Sequence, residues 1–256
     1  MDKLEDWFKN NKLRLNASKT EYILIVNSRR RQQFQRVKIS LGGKLLEESA
    51  NTKILGVNIA NDLTWNMHTK NLQNKLKYFY RSFARSCRML SQDSRVLLYN
   101  ATIASRLNYC DMVWDGCGIE YTNKLQTIQN RCARRILNKL PGTSAAPLLK
   151  DLGWIRLADK RNLHKCVLLH RLLKSEGPNA LKKILEPYTN RPAAELSTRG
   201  YVNGCLYIPG FRTGYIKKSF MYEAVKLWNS IPPYLKDVAN NNTFKEKLNV
   251  YYLSMQ

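Results

Sequence analysis

The chain has 256 residues, of which 44% are hydrophobic, 43 are Lys or Arg and 19 are Asp or Glu. This length allows one or two domains, and the apolar content is enough for a core, which argues against extensive disorder. The net charge of +24 is spread along the whole chain, which excludes a neutral protein with a basic tail and favours a polyanionic partner, either nucleic acid or an anionic membrane surface.

The membrane alternative has little further support in the sequence. Lys165, His170 and Arg171 interrupt the most apolar stretch, around Val167, so no segment approaches the ~20 apolar residues of a spanning helix. The N-terminal residues 1–7 carry acidic side chains and lack the apolar run of a signal peptide. We therefore expect a soluble protein that is intracellular, either nuclear or cytoplasmic, and has no membrane partner.

Residues 1–65 are predicted to contain a short helix and a small antiparallel sheet. Apolar residues at helical spacing predict a helix over 3–14. The β-prone run Tyr22–Val26 predicts a buried strand, and the apolar segments around Gly42-Gly43 predict a hairpin. One more strand is expected around Val57. The polar and basic residues 28–33 are interpreted as a solvated loop, with a phosphate contact as the alternative.

A long amphipathic helix is predicted over residues 66–90. Its apolar face comprises Leu72, Leu76, Phe79, Phe83 and Leu90. The opposite face has five cations and no acid: Lys70, Lys77, Arg81, Arg85 and Arg88. An ordinary solvated face is one interpretation, but such faces usually mix charges of both signs, because opposite charges four residues apart attract. The pattern therefore favours a helix that follows a phosphate backbone.

Helices are also predicted for most of the remaining chain. Cap-forming residues 91–94 precede a second helix, a third is expected from Leu125 to Ile136, and Asp159 is the expected N-cap of a fourth over 159–174. The third helix is also basic, at Arg131, Arg134, Arg135 and Lys139. Residues 187–215 are rich in turn-forming residues and are predicted to be irregular, and a last pair of helices is expected over 217–230 and 243–253.

The predicted fold class is therefore α+β and mostly α-helical, with a small antiparallel β-sheet near the N-terminus. The predicted regions are 1–65, with the sheet, 66–140, with the basic helix, and 141–256, which is helical with an irregular segment near 187–215.

The carboxylates do not form a recognisable catalytic set. Polymerases and nucleases that act through two metal ions need at least two converging carboxylates. The adjacent acidic pair Glu47-Glu48 lies in an expected hairpin arm, and Asp111 and Asp115 are interpreted as turn and cap residues. The six cysteines have no regular spacing and are interpreted as buried apolar residues. We therefore expect neither a metal site nor a complete active site.

Several short motifs, in this order, resemble the C-terminal part of reverse transcriptases from jockey-like non-LTR retrotransposons. They are Trp7–Leu13 with Leu15–Thr20, Lys53–Val57 with Leu63–Trp65, Tyr109 with Val113-Trp114, Leu125–Arg135, Leu152–Trp154 and Phe220–Pro233. By this resemblance, residues 1–65 correspond to the edge of the palm with primer-grip-like strands, 66–140 to a thumb-like region and 141–256 to the family's C-terminal region.

The resemblance also implies roles for individual residues. Lys19 matches a lysine placed near the nucleotide phosphates, which is suggested to protonate the leaving pyrophosphate in an intact enzyme; a surface lysine at a turn is the alternative. Leu55 and Gly56 would lie under the 3′ end of the primer, where glycine allows a close approach of the backbone. The helix over 66–90 would follow the primer–template duplex, so the implied partners are RNA and DNA, held as an RNA–DNA hybrid.

The family's catalytic strand carries two adjacent aspartates and precedes the part that matches this chain. The sequence contains no Asp-Asp pair, so this chain alone is expected to be inactive as an RNA-directed DNA polymerase, and Mg²⁺ is expected only in an intact polymerase. The sequence predicts a truncated reverse transcriptase fragment. A non-enzymatic nucleic-acid-binding module and a decayed transposon remnant are the alternatives.

Overall fold

The computed structural model describes residues 2–14, 16, 19–26, 38–190, 204–210, 214–217 and 219–256. The chain forms two compact units, Met1–Leu72 and Gln73–Gln256. The mostly helical α+β class predicted from the sequence is confirmed, because helices account for most of the described residues and the strands are few and short. The division into three regions stays a prediction.

The first unit combines one helix with short strand pairs. Helix α1 (Asp2–Asn10) ends four residues before the predicted limit. The described strands are β1 (Glu21–Tyr22), β2 (Ser40–Leu41), β3 (Lys44–Leu45), β4 (Glu47–Glu48), β5 (Asn51–Ile54) and β6 (Val57–Ala60). The predicted hairpin at Gly42-Gly43 is confirmed: β2 and β3 are antiparallel, and both glycines have positive φ, as a two-residue turn of this kind requires.

The prediction of one small antiparallel sheet within residues 1–65 is wrong. The described strands form three separate pairs, and the pair β1–β4 is parallel, with Glu21 opposite Glu47. Strand β1 ends at Tyr22, so the predicted strand Tyr22–Val26 is also wrong beyond its first residue. β-Prone residues form a strand only where a neighbouring strand is available for backbone hydrogen bonds. Among the described residues, only the first residue of this apolar run, Tyr22, has such a neighbour. The predicted loop over 28–33 lies outside the described residues.

The expected single strand around Val57 is a hairpin instead. Strands β5 and β6 pair in antiparallel fashion, joined by Leu55 and Gly56, which have φ values of 46° and 86°. Two successive residues of positive φ are typical of a type I′ turn. The apolar residues on either side of Leu55-Gly56 therefore belong to two strands rather than one.

Helix α2 (Asn66–Ser86) begins in the first unit and continues into the second. Its predicted apolar face is confirmed for four of the five residues: Leu72, Leu76 and Phe83 are buried, and Phe79 is half-buried. The fifth, Leu90, lies beyond the end of the helix. The helix ends four residues before the predicted limit. Near its start, the Asp62 carboxylate accepts hydrogen bonds from the backbone N–H and the hydroxyl of Thr64, and such an Asx turn favours a change of chain direction.

A second group of helices follows α2. They are α3 (Gln92–Tyr99), a π-helical segment over Asn100–Ala104, α4 (Ser105–Leu107), α5 (Ile119–Ile136) and α6 (Ala145–Asp151). Ser91 caps α3 by accepting a hydrogen bond from the Ser94 N–H, as the sequence predicted. The third predicted helix is confirmed as α5. Helix α6 was not predicted.

The remaining described helices are α7 (Leu157–Leu173), α8 (Asn179–Thr189), α9 (Gly214–Lys217), α10 (Phe220–Ser230), α11 (Pro233–Lys236) and α12 (Asn241–Ser254). The N-cap of α7 is Arg156, so Asp159 is not the cap; its carboxylate lies in the first turn, 3.0 Å from Arg156 Nε. Residues 187–189 belong to α8, not to an irregular segment as predicted. Much of the rest of 187–215 lies outside the described residues.

Helix α7 lies in the middle of the largest apolar core. Its residues Leu163, Cys166 and Leu169 are buried against apolar side chains of α8, α10 and α12. A smaller core joins Ala133 of α5 to Leu148 and Leu149 of α6. Helix α5 is also joined to the segment before α7, because Gln129 Nε2 donates a hydrogen bond to Ile155 O over 3.2 Å. The predicted thumb-like helices after residue 72 and the C-terminal helices thus share one compact unit.

Candidate nucleic-acid interface

The five cations predicted to follow a phosphate backbone, here called the α2 basic face, are all exposed: Lys70, Lys77, Arg81, Arg85 and Arg88. Lys70 belongs to the first unit and the other four to the second. Lys77, Arg81 and Arg85 follow one another at four-residue intervals, which corresponds to ~6 Å of rise along the helix axis per step. Arg88 lies just beyond the last helical residue. The helix therefore presents a regular row of positive charges to solvent.

No carboxylate neutralises this row within the described part of the chain. Helix α2 has no acidic residue among its 21 residues. None of the ion pairs between described residues includes a member of the α2 basic face. Like charges one helical turn apart destabilise an isolated helix by a few tenths of a kcal/mol per pair, roughly the inverse of an attractive pair. A bound polyanion would remove this repulsion.

Packing of the second half of α2 holds the row in place. The Phe83 ring lies 6.5 Å from the ring of Tyr99 in α3, with an interplanar angle of 65°. The Arg106 guanidinium of α4 lies 3.7 Å from the centre of the Phe79 ring, within the range of a cation–π interaction. Helix α2 is thus fixed by its apolar side, and its cations need little backbone rearrangement to meet a ligand.

Besides Lys70, three predicted site residues lie in the first unit. Lys19 is exposed, and its backbone N–H donates a hydrogen bond to Asn16 O in the turn before β1. Leu55 is 84% exposed at the tip of the β5–β6 hairpin, beside Gly56. A bulky residue with positive φ and an exposed side chain contributes strain without core packing. The Leu55 side chain therefore lies at the surface of the first unit.

Asp111 and Asp115 lie between α4 and α5, and both are engaged with α7. The Asp115 carboxylate pairs with Arg161 Nη1 at 3.1 Å and with the Lys165 ammonium. Asp111 Oδ2 lies 2.7 Å from His164 Nδ1. These five residues are called the buried ionic cluster below. The sequence interpretation, turn and cap residues, placed both aspartates correctly near a helix end but missed their partners.

The partners were missed because they are distant in sequence. Asp115 and Arg161 are separated by 46 residues, and no local periodicity relates positions so far apart. Arg161 is 2% exposed, and its guanidinium also lies 4.4 Å from the centre of the Trp114 ring. One available signal was spacing. Arg161 and Lys165 lie at four-residue intervals between Leu157 and Leu169, so they share a helix face with apolar residues.

The described residues offer little for metal binding. No three His, Cys, Asp or Glu side chains come together as a metal site in the described ranges. Glu47 and Glu48 are exposed in β4. Of the cysteines, Cys87, Cys117, Cys132 and Cys166 are buried, and Cys110 and Cys205 are half-buried. Burial raises the pKa of Cys166 to about 12, which keeps this thiol protonated at neutral pH.

Among the helices that the structure describes, none combines the length and the apolar character needed to cross a membrane.

The chain is similar in sequence to two curated proteins, both named RNA-directed DNA polymerase from mobile element jockey. The Drosophila melanogaster protein is 26% identical over 188 residues, 72% of this chain and 20% of that protein. The Drosophila funebris protein is 26% identical over 203 residues, 77% of this chain and 21% of that protein. The chain thus spans about a fifth of the length of these relatives. No family model and no solved structure matches it.

This similarity confirms the jockey-like relationship predicted from the motifs. The chain is related to reverse transcriptases of non-LTR retrotransposons.

Proposed function

We propose that the chain is a fragment of a non-LTR retrotransposon reverse transcriptase that holds an RNA–DNA hybrid by its phosphates. The observation that carries this proposal is the α2 basic face, which is exposed, free of acidic residues on its own helix and supported by packing. Contacts to phosphates depend on charge and spacing rather than on base sequence. The complex is therefore independent of nucleotide sequence and weakens steeply as salt rises.

The two predicted features of the first unit have roles only in an intact enzyme. Lys19 contacts the phosphates of the incoming nucleotide and protonates the leaving pyrophosphate. The Leu55–Gly56 turn supports the 3′ end of the primer, and the exposed hairpin tip supports this assignment. Both roles follow from the resemblance to the polymerase family. The proposal also includes an intracellular site of action, where RNA and DNA meet.

The chain by itself does not polymerise in this proposal. Nucleotide addition in the family needs two adjacent aspartates, and the sequence has no Asp-Asp. The internal pair Asp111 and Asp115 supports this conclusion, because both carboxylates are bonded to basic side chains of α7. Mg²⁺ therefore belongs to the intact polymerase. Primer extension with Mg²⁺ and nucleotides should equal a no-protein control, and robust extension would contradict this part of the proposal.

The binding experiment compares two triple variants of the full chain. Lys77→Gln, Arg81→Gln and Arg85→Gln remove three charges from the α2 basic face. The matched control, Lys183→Gln, Lys226→Gln and Lys247→Gln, removes three exposed charges from α8, α10 and α12. Fluorescence anisotropy with a labelled RNA–DNA hybrid of ~16 base pairs measures the dissociation constant at several salt concentrations.

Each phosphate contact contributes roughly 0.9 to the slope of log K against log salt on a duplex. The α2 triple variant should therefore lower the slope by roughly 2–3, with the control close to the unmodified chain. Equal slopes for the two triple variants would contradict the proposal.

A further inference from the structure

We infer that the phosphate-binding surface continues from α2 onto the C-terminal end of α5, where Arg131, Arg135 and Lys139 form a second set of contacts. These three residues are called the α5 basic end. All three are exposed, and none belongs to an ion pair among the described residues. The inference rests on the proposed function and extends its phosphate-binding surface to a second helix of the same compact unit.

Contacts made by α3 bring the ends of α2 and α5 together. The Phe83 ring of α2 packs against Tyr99 of α3. At the other end of α3, Arg95 Nη1 donates hydrogen bonds to Ile136 O at 3.0 Å and to Asn138 Oδ1 at 2.7 Å, both at the end of α5. Arg88 and the α5 basic end thus both lie where α3 begins and α5 ends.

Cys87 immediately follows α2 and precedes Arg88 of the α2 basic face in the chain. Its thiol is buried, and burial raises its pKa, while the positive charges of Arg95 and Arg135 act in the opposite direction. This direction agrees with the position that the hydrogen bonds of Arg95 give to the end of α5. Arg88 and the α5 basic end are therefore neighbours on the second unit.

A helix C-terminus is ordinarily a poor place to bind phosphate, because its free carbonyl groups carry partial negative charge. At the end of α5 these groups are occupied. The N–H of Lys139 donates to Arg134 O at 2.8 Å, and Asn138, with a φ of 52°, is the left-handed residue of this Schellman-type turn. Arg95 Nη1 donates hydrogen bonds to Arg135 O, at 3.4 Å, and to Ile136 O. A buried guanidinium thus offsets the negative end of the helix.

The surrounding acidic residues leave the positive charge uncompensated. Residues 70–139 contain 13 Lys or Arg and only four Asp or Glu. Asp111 and Asp115 are paired with α7, and Glu120 is paired with Lys124 at the opposite end of α5. Asp93, in the first turn of α3, is the fourth. The surface formed by the α2 basic face and the α5 basic end therefore has many more cations than acids, and Asp93 is the acid that lies near it.

The size of the α2 row sets a lower limit on the length of the ligand. From Lys77 to Arg85 the helix rises by ~12 Å, which corresponds to roughly four base pairs at ~3.4 Å per nucleotide. A hybrid of ~16 base pairs is several times longer than this row. It can therefore contact the row and the neighbouring α5 basic end together, and its affinity should depend on both sets.

The test uses the triple variant Arg131→Gln, Arg135→Gln, Lys139→Gln in the full chain, beside the α2 triple variant and the control triple variant of the binding experiment. Salt slopes are measured on the hybrid of ~16 base pairs. We expect the α5 triple variant to lower the slope by roughly 2–3, because three phosphate contacts are lost. A double variant that retains the charge, Arg131→Lys and Arg135→Lys, should keep the slope of the unmodified chain. Circular dichroism and thermal unfolding confirm that each variant is folded.

The outcomes separate this inference from the proposed function. If the α2 variant lowers the slope while the α5 variant matches the control, the inference fails and the proposed function stands. If neither variant differs from the control, both fail. A charge-retaining double variant that lowers the slope as much as the α5 triple variant would also overturn the inference, because the loss would then not come from the removed charges.

Discussion

The α2 basic face and the buried ionic cluster carry the same kinds of positive side chain in opposite surroundings. On α2 the cations are exposed and have no acidic partner on their helix, whereas on α7 Arg161 and Lys165 are almost fully buried and share the Asp115 carboxylate. A buried charge must be paired, because the desolvation cost of an unpaired ion is several kcal/mol. The cations of α7 are therefore needed by the fold, and those of α2 are available to a ligand.

The largest effect should come from removing the counter-charge of the buried ionic cluster. Asp115→Asn leaves Arg161 and Lys165 buried without their carboxylate, and the free energy of unfolding should fall by about 3 kcal/mol or more. Urea denaturation measures the change, with exposed Asp151→Asn as the control. A loss below about 1 kcal/mol would show that the cluster is not critical to the fold.

A variant that removes the charges of Asp115, Arg161 and Lys165 together tests whether charge pairing explains this loss. The triple variant Asp115→Leu, Arg161→Met, Lys165→Met removes the charges together and keeps apolar volume, so it should be more stable than Asp115→Asn alone. If the triple variant is the less stable of the two, the hydrogen bonds and ring contact of Arg161 matter more than charge pairing.

The second largest loss of stability should come from replacing Arg95, which connects α3 to the end of α5. Arg95→Met removes the donor to Arg135 O, Ile136 O and Asn138 Oδ1. Because these acceptors are partly or fully buried, the free energy of unfolding should fall by roughly 2 kcal/mol. Arg88→Met, an exposed arginine of the α2 basic face, is the matched control and should change it by less than ~0.5 kcal/mol. Similar losses in both variants would contradict the distinction drawn between the two kinds of cation.

A smaller effect is expected at Lys160, one turn before His164 on α7. Burial lowers the pKa of Lys160, the charge of Lys245 lowers it further, and Asp111 acts in the opposite direction. The unfolded chain therefore binds this proton more tightly than the folded chain, so this residue adds stability as the pH rises from its lowered pKa toward the ordinary lysine value.

Lys160→Met should abolish this alkaline gain and leave the protein at pH 7 slightly more stable, by less than the Arg95→Met loss. The quantity to measure is the difference in unfolding free energy between the unmodified chain and the variant from pH 7 to pH 10.5, since other groups cancel in that difference. A difference that stays constant over this range would contradict the assignment.

The smallest effect on stability should come from the α2 basic face itself. Each of Lys77→Gln, Arg81→Gln and Arg85→Gln should change the free energy of unfolding by no more than about 0.5 kcal/mol, although the three together weaken hybrid binding. Chemical denaturation and anisotropy on the same samples measure the two quantities. A large loss of stability in these variants would mean that the exposed cations also serve the fold.

Local pattern was enough to predict α2, α5 and the β2–β3 turn. Residues such as Leu76 and Phe83 recur at the helical period, so the buried and exposed faces follow from positions within a few turns of one another. Ser91 and the Gly42-Gly43 pair were equally local signals. Asp159 was misassigned as an N-cap because a capping residue and an acid in the first turn are both favourable near a helix start.

The sequence by itself determined the helical class, the position of the exposed cations on α2 and the relationship to jockey-type polymerases, because these depend on composition and on neighbours within a few residues. Only the tertiary structure decided that Glu21 pairs with Glu47, that Asp111 and Asp115 face α7, and that Arg95 closes the end of α5. Such partners are 26 to 53 residues apart. Their pairing depends on how packed elements meet in space, which no periodicity along the chain encodes.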